Sequence, residues 1–337
     1  MEVKNPVDDH GLTPLFQAAS NNHIDICRLI LQNIDEKNLA AKCGCTPLHK
    51  AATSGNLDIF ICIAESLSNK NPSRKQGITV LHDVAREGKF EFVKYIVENV
   101  IDKNPIDSGG WTPLHNAASA GHLDIYEFIA KFLHNKNPAT RIDQSTPLHS
   151  AAEKGHLEIV KYIIENIDEK MPKTLEGESP IHGAASNGHL DVLKYVANFV
   201  KDINTKNDKG YTPLHSAAQE GHLEIVKYVM EIVDEKAPKS NSGYTPLHCA
   251  VKGGHLEIVK HISEIVDDKN PKNIRGYTPL HCAARRGHYE ICQTIIENVD
   301  DPNPTTNSGR SVLNFAQIGR KRKIHDLVLK HVNKRQK

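Results

Sequence analysis

TPLHSAAEKGHLEIVKYIIENIDEK, residues 146–170, reads as two short helices joined at a glycine. Thr146 is an N-cap whose hydroxyl accepts from an open helix N–H, and Pro147 suits the first helical position, where no donor is lost. Leu148, Ala151 and Ala152 follow at i, i+3 and i+4 as a narrow apolar stripe, and Gly155 supplies a left-handed stop. The second helix carries Leu157, Val160, Ile164 and Ile167 along one face, widened by Ile163. Glu158 stands in its first turn, where the helix dipole favours an acid. Neither helix persists alone, since isolated helices below about 12–15 residues are marginal in water.

The unit is written ten times. A Thr or Ser opens the copies at 13, 46, 79, 112, 146, 179, 212, 245, 278 and 311, and every interval is 33 residues except one of 34. Six copies read TPLH without change. The paired alanines, such as Ala217 and Ala218, are small enough for helices of adjacent copies to approach closely. Spacing and motif together resemble the ankyrin repeat over essentially the whole chain. The resemblance implies an all-α solenoid of stacked antiparallel helix pairs with projecting β-hairpin finger loops. The expected organisation is a single array over 1–337, with 302–337 as a basic C-terminal capping repeat and tail. The extra residue lies between Pro138 and Thr146, so it lengthens a finger and spares the helices. One departure stands out: most ankyrin repeats close the second helix with Gly-Ala-Asp, whereas this chain writes IDEKN or VDDKN. That leaves the helix end and finger shape open.

Hydrophobic residues make up 39% and charged ones 25%, which fits a folded, soluble chain. No apolar run approaches the roughly 20 residues that cross a bilayer. The first twenty residues contain acids and no apolar core, so no secretory signal is expected, and the expected location is the cytoplasm or the nucleus. The seven scattered cysteines are expected to be reduced thiols. Charge is uneven: residues 302–337 carry +8, and residues 1–301 carry −7.

The twenty histidines invite a metal or catalytic reading, yet most recur with the period. His49, His82, His115, His149, His182, His215, His248 and His281 sit three residues past an N-cap, where an imidazole can reach back to the Thr hydroxyl as in a capping box. A second set, from His122 and His156 to His288, follows the glycine between helices. No HExxH or paired CxxC spacing occurs, and Cys43 and Cys45 form a CxC in a finger without a second pair. No phosphate loop, dinucleotide fingerprint or nucleophile elbow is present. The expectation is a non-enzymatic protein with no metal and no cofactor.

By resemblance, the finger tips and the exposed face of each first helix line a concave surface that binds partner proteins. Just before the opening Thr stand Trp111, Tyr211, Tyr244 and Tyr277, residue types that dominate interface hot spots. Near the first-helix ends lie Glu153 and Lys154, Gln219 and Glu220, and Arg285 and Arg286. Each ring either faces a partner or packs on the neighbouring finger; each polar pair either joins the groove or is a solvated face. Arg320, Lys321, Arg322 and Lys323 place four bases at the start of the last helix, against its dipole. They read as a nuclear import signal, a contact for an anionic partner, or a terminal cap that tolerates charge. The function expected is a monomeric interaction scaffold or adaptor binding one or more proteins, centred on repeats seven to nine. The alternative is a nuclear or signalling regulator brought in by the basic tail. Neither membrane nor nucleic acid is the expected partner, since phosphate affinity needs a broad basic face.

Overall fold

The computed structural model describes residues 5–335, so residues 1–4 and 336–337 of the expected array and tail lie outside the described residues. Every copy of the unit forms its helix pair, as in Pro147–Lys154 and Leu157–Asn166. Twenty α-helices and no β-strand form among the described residues, and the fold is an all-α repeat solenoid.

The helix pairs fall into two compact units, Met1–Lys170 and Met171–Lys337. Within each, first helices pack on first helices and second helices on second helices, repeat after repeat. Leu148, Ala151 and Ala152 are fully buried in the first unit, as are Leu214, Ala217 and Ala218 in the second. Burying a leucine of this kind contributes roughly 1.5–3 kcal/mol, and the neighbouring repeat supplies cover that its own second helix does not.

The opening histidines bind these rows together. In repeat seven the Thr212 N–H donates to His215 Nδ1 at 3.1 Å, so the proton sits on Nε2, which donates to the Tyr244 carbonyl of the next repeat at 2.9 Å. The Thr212 hydroxyl lies 2.9 Å from the same Nδ1. The arrangement recurs at His82, His115, His182, His248 and His281. Protonation would set one N–H against another inside the core. Burial accordingly pushes His49, His115, His215 and His248 down to about 4.

The second histidine set reaches backward. His156 Nε2 lies 3.1 Å from the Ser119 carbonyl, and His255 Nε2 lies 2.9 Å from that of Gln219. Gly121 has φ +85°, and a Cβ there would come within 2.7 Å of the His156 ring. Lys89 takes the same post in repeat three, donating to the Ala52 and Thr53 carbonyls at 2.6 and 2.7 Å.

The run that replaces Gly-Ala-Asp proves to be a two-way cap. Its lysine folds back on the second helix: Lys103 Nζ donates to the carbonyls of Val97 and Val100, and Lys170 to those of Ile164 and Ile167. A cation there meets the negative end of the helix dipole. Its asparagine turns forward, with Asn71 Oδ1 accepting from Leu81 N–H at 2.8 Å and Asn137 Oδ1 from Leu148 N–H at 3.0 Å. One end of the run closes a helix, and the other opens the next.

Three expectations need correction. The fingers are not β-hairpins: each closes as a tight turn, such as Asn273 N–H to the Tyr277 carbonyl at 2.8 Å, and among the described residues only isolated bridges at Ser73–Thr79 and Thr305–Ser311 form. In most repeats a proline beside the turn, such as Pro271, has no N–H to extend a ladder. In the second helix the buried face is Ile159, Val160, Ile163 and Ile164, with Leu157 and Ile167 only half-buried. It lies against both its own first helix and the preceding second helix, so two neighbours set the covered face. The last helix starts at Arg322, so only Arg322 and Lys323 stand in its first turn. Arg320 takes φ +53° in the turn before it, and Lys321 lies over Gly287, where earlier repeats place the backward-reaching histidine.

The inserted residue does what its place in the sequence suggests. Thr140 N–H reaches the Ser145 carbonyl at 2.8 Å across a turn one residue longer than the others, and Gln144 takes the positive φ held elsewhere by glycine.

Candidate partner-binding surface

Tyr211, Tyr244 and Tyr277 each follow a turn and precede an N-cap Thr, so the ring leaves the chain where backbone and first helix meet. Each ring packs on the capping histidine of its own repeat: Tyr211 on His215 at 5.1 Å, Tyr244 on His248 at 5.3 Å and Tyr277 on His281 at 5.9 Å between centroids. Tyr277 also meets Phe315 at 5.4 Å. All three are half-buried. The rings are therefore part of the scaffold on one side and open on the other.

At the far ends of the same first helices stand charged residues. Arg285 and Arg286 occupy the last turn of Pro279–Arg286, and Lys252 that of Pro246–Gly253, where the C-terminal end of a helix favours cations. Lys252 stands one period before Arg285 and was missed in the sequence because its partner position is Gly253. All three cations are exposed. Their charges act on the Cys282 thiol. Burial pushes Cys282 up to about 11 and Cys249 up to about 12, so these thiols are neutral packing groups. Burial likewise pushes the Tyr211 hydroxyl up to about 12, which keeps it a hydrogen-bond donor at neutral pH.

Gln219 and Glu220 close the first helix of repeat seven, their side chains bonded to each other at 3.0 Å. Tyr211, Tyr244, Tyr277, Gln219, Glu220, Arg285 and Arg286 thus belong to the second unit. Trp111, Glu153 and Lys154 belong to the first. Trp111 packs on His115 at 5.4 Å, and Glu153 and Lys154 neutralise each other at 2.9 Å. No carboxylate among the described residues pairs with Lys252, Arg285 or Arg286, in contrast to Lys227 and Lys260, held by Glu224 and Glu257 at 2.8 Å on the second helices.

Among the described residues no three His, Cys, Asp or Glu side chains gather as metal ligands, and no helix is long and apolar enough to cross a membrane. A cleft of about 400 Å3 between the connectors of repeats six and seven is lined by Val200, Lys201, Asp202, Asn204 and Glu235 among others.

A family model described as ankyrin repeats, in three copies, matches residues 2–70, 61–138, 126–207, 181–273 and 261–337. Comparison with curated proteins returns no match. Matches over nearly every residue, on a scaffold of stacked helix pairs, place the chain in the ankyrin-repeat family, whose repeats are in general protein-interaction modules.

Proposed function

We propose that this chain is a non-enzymatic scaffold whose second unit holds an acidic stretch of a partner protein across Tyr211, Tyr244 and Tyr277. The observation that carries this reading is the trio Lys252, Arg285 and Arg286, exposed and without a carboxylate, at the C-terminal ends of first helices whose N-termini follow the half-buried Tyr244 and Tyr277. Rings fixed on histidines lose little entropy on binding, and unpaired cations steer a carboxylate-bearing partner. Trp111, Glu153 and Lys154 are secondary contacts in the first unit.

The test is affinity capture with the native chain and with Arg285→Glu/Arg286→Glu. Partners recovered by the native chain should be lost with the charge-reversed one, and released from the native chain by moderate salt. Recovery of the same partners at undiminished yield ends this reading.

A second reading rests on the exposure of Arg320, Lys321, Arg322 and Lys323, four consecutive bases open to an import receptor. It makes the protein a nuclear regulator. A fluorescent fusion carrying Arg320→Gln, Arg322→Gln and Lys323→Gln should leave the nucleus; an unchanged distribution removes the strip from consideration.

A further inference from the structure

The finger of repeat two ends in Cys43-Gly44-Cys45, where its neighbours place ordinary polar turns. Gly44 takes φ +88°, and a Cβ there would meet Lys75 N at 3.0 Å, so the turn is pressed against the next finger. The turn is closed by Ala41 N–H to the Cys45 carbonyl and Gly44 N–H to the Ala41 carbonyl, both 2.8 Å. This brings the Cys45 N–H to Cys43 Sγ at 3.4 Å and sets the two thiols close enough to act on each other's ionisation. Cys43 is exposed and Cys45 half-buried.

Lys75 acts on Cys43, while the Arg74 charge near Cys45 is paired with buried Asp83 at 3.2 and 2.8 Å, and burial above all raises the Cys45 thiol. The Cys45 N–H, above all, holds the Cys43 thiol below its usual range. Cys27, Cys249, Cys282 and Cys292 are instead pushed up to about 11–12, chiefly by burial. Thiolate character and access therefore coincide at Cys43, with a second sulfur alongside.

We infer that Cys43 and Cys45 form a peroxide-reactive dithiol that closes to a disulfide across Gly44. The Cys43 thiolate attacks one peroxide oxygen, the O–O bond breaks, and Cys43 becomes a sulfenic acid while the leaving hydroxide takes a proton to become water. The Cys45 sulfur then attacks the Cys43 sulfur, the S–O bond breaks, and the Cys45 proton leaves with the hydroxyl as a second water. Two thiols are oxidised, and one hydrogen peroxide is reduced to two waters.

Trypsin isolates Cys43–Lys50, a peptide containing both sulfurs and no other cysteine. The intact reduced chain is treated with hydrogen peroxide, alkylated and digested. Cys43–Lys50 should appear two hydrogens lighter and unalkylated, at least about tenfold faster than oxidation at Cys282. In Cys45→Ser, a sulfenic acid should accumulate at Cys43 and be trapped by dimedone. A Cys43–Lys50 peptide that remains doubly alkylated, or a native chain in which Cys43 advances to sulfinic acid while Cys45 is alkylated, overturns the inference.

Discussion

His215 Nε2 donates to the carbonyl of Tyr244, 2.9 Å away and 29 residues further along, while its Nδ1 accepts from the N-cap of its own repeat. One side chain thus completes a helix start and fastens it to the next turn. Removing it as His215→Ala leaves the Thr212 N–H and the Tyr244 carbonyl unmatched in the core, at a cost of about 3 kcal/mol. His215→Asn should cost about half as much. The tenth repeat shows why: Asn314 Oδ1 accepts from Ser311 N–H at 2.8 Å, the near half of the same task. Urea melts of the two variants check the order; equal losses would mean that the cap bond kept by asparagine adds nothing.

Seven buried histidines have lowered pKa values, four of them at about 4 and three more, His82, His182 and His281, lowered in direction. A lowered histidine pKa means that the unfolded chain binds more protons between the folded value and 6.5. Its stabilising contribution is therefore complete above pH 6.5 and lost as pH falls toward 4. Each histidine at about 4 gives a slope of up to about 1.4 kcal/mol per pH unit in that window, or roughly 3 kcal/mol in all. Denaturant midpoints should drop steeply from pH 7 to pH 5, and less steeply in His215→Asn/His248→Asn. A flat profile would show that the imidazoles are not held neutral.

The period, the N-caps and the inward reach of the histidines were all legible, because these are contacts within a few residues of one another. What each Nε2 meets was not, since the Tyr244 carbonyl lies 29 residues away and any residue type can offer it. The same limit hid the packing of the tyrosines: spacing placed them beside the groove, while their contact with the capping histidine depends on side-chain direction. The aspartate-lysine-asparagine run read as a missing glycine cap, although the lysine supplies the cap through space. Lys252 escaped notice because only its register with Arg285, not its neighbours in sequence, marks it.

The forward half of that run can be removed or installed. Asn71→Ala deletes the bond to Leu81 N–H and should cost about 1 kcal/mol. Repeat eight writes Ala237 at the equivalent place, eight residues before Thr245. Ala237→Asn should gain about 0.5–1 kcal/mol by capping Leu247 N–H. Thermal melts decide it, and a destabilised Ala237→Asn beside a neutral Asn71→Ala would rule out the capping role.

Tyr211 separates scaffold from surface. Its ring stands edge-on to His215 at 5.1 Å and 60°, so Tyr211→Ala removes packing as well as any contact with a partner and should cost about 1–2 kcal/mol. Tyr211→Phe keeps the ring and removes only the hydroxyl, which burial holds protonated as a donor. Its melt should match that of the native chain within about 0.5 kcal/mol. If the hydroxyl meets an acceptor on the partner, capture by Tyr211→Phe should fall several-fold despite the unchanged melt. Full capture by Tyr211→Phe together with weakened capture by a destabilised Tyr211→Ala would assign Tyr211 to the scaffold and leave recognition to the cations at Lys252, Arg285 and Arg286.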